Sequence, residues 1–342
     1  MKQVSVYDAI GMVLCHDLTR IVPGESKGVA FKRGHVVCEE DIPQLLKIGK
    51  EHLFVWDLNE GFVHEDDAAF RIAKATIGEG ISFKEPHEGK IELVADYDGL
   101  LKINTKTLYE INSIPDIMLS TIHTNQRVSA GQKVGGTRII PLVIEDKVLM
   151  HVEDICKPSF PMIEIKKFKP NLRVGIVTTG SEVFHGRIQD AFGPVLKRKV
   201  ANYGGTVVDQ LFAPDDVDLI LEAVNSLLAK GVDIITLTGG MSVDPDDLTP
   251  TSIKRTGAEV VTYGVPVLPG AMFMLAYLGD VVLMGLPGCV MFHSTTIFDI
   301  VFPLIHAGER PTKADLMKYA HGGFCQSCEV CHYPVCGFGK QG

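Results

Sequence analysis

Arg173-Val174-Gly175-Ile176-Val177-Thr178-Thr179-Gly180-Ser181-Glu182 is the stretch that decides the fold. Its Val174 to Val177 core is apolar without alternation, as a strand buried on both faces must be, and such strands belong to parallel sheets. Small and polar residues then arrive together, Thr179 to Glu182, where a helix is due to begin. Outward from this point the pattern repeats. Val195, Leu196 and Val200 have helical spacing, and Thr206-Val207-Val208 is a second strand. Ile220, Ala223, Val224, Leu227 and Leu228 share one helical stripe, with Gly231 where a C-terminal cap belongs. Asp233 to Thr238, Ala258 to Thr262 and Val281 to Leu286 read as strands, and Phe292 to Ile305 reads as a closing helix. Five strands alternating with helices predict an α/β domain over residues 173–308, with a doubly wound, mostly parallel sheet. In such sheets ligands bind beyond the carboxyl ends of the strands.

The segments before this domain read differently. Residues 1–80 mix short strands with helix: Glu39 to Ile48 has helical spacing, and Leu53 to Trp56 is a buried-strand run. Residues 81–165 are expected to be β-rich, with strands at Lys90 to Ala95, Leu100 to Asn104, Arg138 to Ile144 and Lys147 to Val152. Gly131-Gln132 and Gly135-Gly136 are expected as turns. Lys166 to Leu172, basic and containing Pro170, reads as a linker, and residues 321–342 as a cysteine-rich tail.

Composition excludes several function classes. The 342 residues hold 33 Lys and Arg against 42 Asp and Glu, a net charge of −9, which argues against a nucleic-acid binder. A 46% apolar composition with 22% charged residues supports folded cores rather than disorder. Met1 to Leu18 makes a poor signal peptide. Val281 to Ile305 is interrupted by Pro287, Gly288, His293, Asp299 and Pro303, so no membrane span is expected and the expected compartment is the cytoplasm. Cys15, Cys38, Cys156 and Cys289 occur singly in apolar contexts and read as small hydrophobes.

The chemistry is expected at three strand ends: Thr178 to Glu182, Thr238 to Asp247, and Gly285 to Gly288. Each brings small residues and backbone N–H groups to a helix start, an arrangement that cradles phosphate. None is a GxGxxG or Walker A sequence, so dinucleotide and P-loop readings are disfavoured. Taken singly, each loop reads more readily as a plain turn, and only the three together at successive strand ends favour the cradle. Asp246 and Asp247 are either solvated loop charges and a helix cap or, beside a phosphate cradle, ligands for Mg²⁺. Asp190, Asp215 and Asp216 fall on the same edge, with helix-start roles as the alternative.

Thr179-Gly180-Ser181-Glu182, Gly239-Gly240-Met241-Ser242-Val243 running on to Asp247, Leu268-Pro269-Gly270 and Gly285-Leu286-Pro287-Gly288 occur in this order. In that combination the domain resembles the molybdopterin-binding domain of the molybdenum cofactor biosynthesis proteins, and most closely their molybdopterin molybdotransferase (gephyrin E-domain) branch. The resemblance is strong over 173–304 and weaker over 1–165. It implies binding of molybdopterin, free or adenylylated, with insertion of molybdate and Mg²⁺-assisted release of AMP. By motif it implies catalytic roles for Glu182, Asp247 and either Asp215 or Asp216, of which Asp216 is taken here. It implies pterin contacts at Thr179, Gly180, Ser181, Asp190, Thr238, Gly239, Gly240, Ser242, Pro287 and Gly288, and Mg²⁺ at Asp246 and Asp247. It also implies self-association.

Three departures separate the chain from that pattern. Ser181 replaces an aspartate. Ala271 and Met272 stand in the lysine-containing stretch, and Cys289-Val290 replaces Asn-Pro. They leave two alternatives open: a non-catalytic cofactor carrier or chaperone serving an apo-molybdoenzyme, and a nucleotide pyrophosphatase on the same fold.

The tail reads Cys325-x₂-Cys328-x₂-Cys331-x₄-Cys336. Four thiolates so close can converge on one ion or cluster with little loss of loop entropy. Zinc and an iron–sulfur cluster are both compatible with the spacing. Phe324, Tyr333 and Phe338 are expected to form a small apolar base for the tail.

Overall fold

The computed structural model describes residues 2–22, 26–56, 61–242, 244–245 and 247–340. The chain divides into two compact units, described separately. The first comprises residues 1–96, 103–122 and 130–165, and the second 97–102, 123–129 and 166–342.

In the first unit, Lys2–Ser5 pairs antiparallel with His52–Val55. Val4, Val6, Leu14, Leu45, Leu53 and Val55 build a core beneath that pair. A four-stranded antiparallel sheet follows, in the order Ile81–Phe83, Ile91–Ala95, Lys133–Ile139, Ile117–Thr121. The helix Glu65–Thr76 packs on it. Two expectations change here. Lys147 to Val152 is not a strand but part of the helix Asp146–Cys156, because Leu149, Val152 and Cys156 are its buried positions, at helical intervals. Gly135 and Gly136 are not a turn; they lie inside the central strand. A Cβ at Gly135 would stand 2.7 Å from the Ser120 carbonyl, and one at Gly136 2.9 Å from that of Ile91. Glycine here permits close strand approach rather than chain reversal.

The second unit contains the α/β domain. Its strands are β1 (Arg173–Thr179), β2 (Thr206–Ala213), β3 (Ile234–Thr238), β4 (Glu259–Tyr263), β5 (Met274–Leu278) and β6 (Val281–Leu286). They form one six-stranded sheet in the order β2-β1-β3-β6-β5-β4. β2, β1, β3 and β6 are parallel neighbours, and β5 runs antiparallel to β6 and β4. The strand Met274–Leu278 was absent from the expected five, since Met274 and Met284 read only as core packing. Both are fully buried within the sheet.

Helices cover both faces. α1 (Phe192–Asn202) and α4 (Ile297–His306) pack on Val174 and Ile176, while α2 (Val217–Ala229) and α3 (Thr249–Arg255) pack against Val177, Ile235 and Leu237. Gly175 admits α2: a Cβ there would lie 2.8 Å from Leu227 Cδ1. The closing helix is shorter than expected. A turn of helix at Cys289–Phe292 ends before Thr296, whose hydroxyl caps α4 and whose backbone N–H donates to Asp299 Oδ2 at 2.8 Å.

Residues 97–102 and 123–129, expected inside the β-rich region, cluster instead with this unit. Lys102 Nζ donates to Glu309 at 3.1 Å, Arg127 to the Asn202 carbonyl at 2.7 Å, and Lys340 Nζ to Gln126 Oε1 at 2.7 Å. These ties run across long stretches of chain and leave no local pattern. Among the described residues no helix is long and apolar enough to cross a membrane.

Candidate functional site

The winding of the sheet creates the site. The chain leaves β1 toward β2 on one side and returns to β3 on the other, so a topological switch point lies between the carboxyl ends of β1 and β3. Four loops therefore stand side by side along one edge: 214–216 after β2, 180–182 after β1, the loop that begins at Gly239 after β3, and 287–288 after β6.

Threonines and glycines let the two central loops meet. Thr179 Oγ1 donates to the Thr238 carbonyl at 3.1 Å and lies 3.1 Å from Thr249 Oγ1, which donates to the Gly239 carbonyl at 2.8 Å. Gly180 and Gly239 have φ of +131° and +91°, outside what side-chain-bearing residues readily adopt. A Cβ at Gly239 would overlap the Thr179 carbonyl. Thr238 Oγ1 is buried with no hydrogen-bond partner among the described residues. The Tyr263 hydroxyl, at the end of β4, donates to the carbonyls of Met241 and Ser242, each at 3.1 Å. Burial, and next the charge of Asp247, hold that phenol above its ordinary pKa.

The carboxylates divide into engaged and available groups. Asp190 accepts from Phe192 N at 2.9 Å, from Gly193 N at 3.0 and 3.1 Å, and from Gln210 Nε2 at 2.6 Å, so it organises the start of α1. Asp216 caps α2, accepting from Asp218 N at 2.9 Å and Leu219 N at 3.0 Å. It is Asp215 that meets the first loop: its Oδ2 accepts from Ser181 N at 2.8 Å, and its own N–H donates to Ser181 Oγ at 3.3 Å. The Gly180 amide donates to the Ala213 carbonyl at 3.1 Å. The Gly180 and Ser181 amides thus already have partners, one of them a carboxylate. Asp247 is half-buried and accepts from Asp244 N at 2.9 Å, while Glu182 and Ser242 are exposed. Pro287 is buried and Gly288 exposed at the adjoining strand end. Asp246 lies outside the described residues.

Residues 175–307 match the family described as a probable molybdopterin binding domain. This segment of the chain is similar to that family. Residues 3–57 match a family described as a domain of unknown function. The molybdopterin molybdenumtransferase of Bacillus subtilis (strain 168) is 30% identical over 122 residues, 34% of this chain and 28% of that protein. That of Staphylococcus aureus (strain COL) is 30% identical over 137 residues, 38% and 32% of the two chains. A CinA-like protein of Mycobacterium sp. (strain MCS) is 36% identical over 90 residues, 26% and 21%. The chain therefore spans a third or less of the length of these curated relatives. Among solved structures, the molybdopterin biosynthesis enzyme MoaB from Thermus thermophilus is 20% identical, covering 39% of this chain and 91% of that one, with a TM-score of 0.32.

Two cavities, each of about 470 Å³, flank the segment that follows the β6 loop of the α/β domain. One is lined by Arg127, Arg198, Lys199, Tyr203, His293 and Ser294 among others. Lys199 is buried there and neutralised by Asp299, with Nζ to Oδ distances of 2.6 and 2.8 Å. Arg127 and Arg198 were not singled out in the sequence; a lone Arg on a strand or helix carries no signal until the fold brings it to a cavity.

The second cavity is lined by all four tail cysteines. Their run has no regular structure, and Phe324 is 71% exposed rather than part of an apolar base, which Phe338 supplies at 5%. Cys38, expected in an apolar context, is exposed. Among the described residues no three His, Cys, Asp or Glu side chains are grouped closely enough to hold a metal ion. The tail cysteines are accordingly not assembled as a ligand set, while the Mg²⁺ site expected at Asp246 and Asp247 includes a residue outside the described ones.

Proposed function

We propose that the C-terminal domain binds molybdopterin across the loops at Gly180, Gly239-Gly240 and Pro287-Gly288, and that the protein acts in molybdenum cofactor biosynthesis. The observation that carries this reading is the family match over 175–307 falling on a domain whose motif loops stand together at the switch point. The orphaned Thr238 hydroxyl at the end of β3 is a polar group that a ligand at this edge would satisfy.

For chemistry, the reading assigns Asp247 and Asp215 to the phosphate end of the ligand. With Asp246, Asp247 would hold Mg²⁺, which neutralises pyrophosphate charge during release of AMP from adenylylated molybdopterin. Glu182, exposed at the start of the short helix after β1, adds a third carboxylate on the same edge. Asp216 and Asp190 are positioning residues, since each closes the start of a helix. Molybdate would be the co-substrate, and self-association belongs to the same reading.

A second reading, a carrier that holds finished cofactor for an apo-molybdoenzyme, is favoured by Ala271 and Met272, which cannot attract molybdate as lysines would. One experiment separates the two: anaerobic protein is mixed with adenylylated molybdopterin, Mg²⁺ and molybdate, and AMP and protein-bound molybdenum are measured together. AMP release with metal capture is the expected result. Tight pterin binding without AMP supports the carrier, AMP release from ordinary dinucleotides supports a pyrophosphatase, and absence of pterin binding overturns the reading.

A further inference from the structure

In a chain of net charge −9, the cavity beside α1 collects arginines without acids to match them. Val195, Arg198, Lys199 and Asn202 stand at i, i+3, i+4 and i+7 of α1, so they share one stripe of that helix, and the cavity separates it from residues 291–294. Arg127 joins them from the segment 123–129 of the same unit. Among the described residues that line this cavity, Asp299 has the one carboxyl group, and it is already engaged. Buried Lys199 directs its three donors to Asp299 Oδ1 at 2.8 Å, Asp299 Oδ2 at 2.6 Å and the Ser294 carbonyl at 2.6 Å. Asp299 Oδ2 also accepts from Thr296 N at 2.8 Å. That pair is neutral and closed. Charge remains on Arg127 and Arg198. Arg127 is half-buried, gives one N–H to the Asn202 carbonyl at 2.7 Å and lies 5.5 Å from the centre of the Tyr203 ring. A guanidinium has five N–H donors, so most of those on Arg127 stay open. Arg198 is exposed, and neither arginine pairs with a carboxylate among the described residues.

We propose that this cavity is a second ligand site, one that binds a small organic phosphomonoester with Arg127 and Arg198 on its phosphate group. Guanidinium forks match the geometry of phosphate oxygens, and two of them match the charge of a phosphate dianion. His293 and Ser294 bring further hydrogen-bonding side chains to the same lining. The rest of the lining calls for an organic part. Val195, Met291, Phe292 and Pro334 give an apolar wall, on which Phe292 is 81% exposed. The volume of about 470 Å³ falls within the roughly 300–1,000 Å³ of small-molecule sites and exceeds what inorganic phosphate would fill. Among the described residues lining the cavity, none comes from the loops that follow β1, β2 or β3. The site is therefore separate from the strand edge and does not rest on the reading of it.

The test uses the full chain without pterin, titrated by calorimetry at low salt with phenyl phosphate, and in separate arms with inorganic phosphate and with phenol. Saturable binding of phenyl phosphate is expected, about tenfold tighter than inorganic phosphate because the ring buries apolar surface, with no binding of phenol. Arg198→Ala alters an exposed residue and should weaken phenyl phosphate about tenfold, and Arg198→Glu should abolish its binding, both with unchanged circular dichroism. Arg127→Gln keeps a donor for the Asn202 carbonyl and should also weaken binding about tenfold. Lys197→Ala, an exposed cation of α1 outside the cavity lining, should leave it unchanged. Undiminished binding in folded Arg198→Ala and Arg198→Glu proteins, inorganic phosphate binding as tightly as the ester, or no binding of the ester would each overturn the assignment. Pterin is absent throughout, so failure here leaves the reading of the strand-edge site standing.

Discussion

The strand-edge loops and the cysteine tail are two candidate sites in one unit, built in opposite ways. The loops hang from four adjacent parallel strands, and their threonines, glycines and carboxylates are held by hydrogen bonds before any ligand arrives. The tail has its ends fixed and its middle exposed, and its thiols share a cavity without forming a ligand set. A sheet edge pre-forms a binding site at the cost of backbone strain. An irregular arc stores no such order and must acquire it from what it binds.

That contrast can be broken most forcefully at Gly239. Gly239→Val places a side chain at φ +91° against the Thr179 carbonyl and should cost about 3 kcal/mol of stability, with pterin binding lost. A urea titration that leaves the midpoint unchanged would show that the loops are not the rigid partner in the comparison. Asp247→Asn should then lower AMP release by about 100-fold while pterin binding persists, because it removes charge and not backbone order. Loss of binding equal to loss of rate would mean Asp247 holds the ground state.

Acid provides a milder probe. Burial first, and then nearby charge, holds His16, His64 and His306 below the ordinary histidine pKa. The unfolded chain thus binds protons that the folded chain refuses. Their contribution is fully present above about pH 6.5 and is lost as pH falls through that value. Urea midpoints should drop between pH 7 and 5.5, and His306→Gln, which removes the ring stacked 4.6 Å from Phe168, should flatten part of the drop. A stability that rises on acidification would contradict the assignment.

Smaller effects separate the roles of adjacent residues. Asp216→Ala should lower stability by about 1 kcal/mol through the lost α2 cap, without a specific effect on ligand. Asp215→Asn should do the reverse, changing pterin affinity with little change in thermal midpoint. Phe324→Ser, at the exposed rim of the tail, should move stability by less than about 0.5 kcal/mol in the metal-free protein.

Much of the fold was legible because it rests on local pattern. The apolar runs at Val174 to Val177 and Val281 to Leu286, and the stripe from Ile220 to Leu228, fall on β1, β6 and α2. Where pattern is short it misled. Lys147 to Val152 offers too few positions to separate a strand from a helix, and Met274–Leu278 hid between motif glycines. At the candidate site, the glycines and threonines were readable as strand-end residues. The choice between Asp215 and Asp216 was not, since only the direction each side chain takes decides which one caps a helix.

Composition, periodicity and motif order were enough to establish an acidic chain with a C-terminal α/β domain, and motif order to show its resemblance to molybdopterin-binding domains. These are properties of neighbours along the chain. Folding settled what distant neighbours share: the antiparallel β5 inserted between β6 and β4, Arg127 brought beside Tyr203 and Arg198, and four thiols facing one cavity. The physical reason is that such contacts depend on strand order and on hydrogen bonds closing long loops, and neither leaves a periodic trace in the residues that make them.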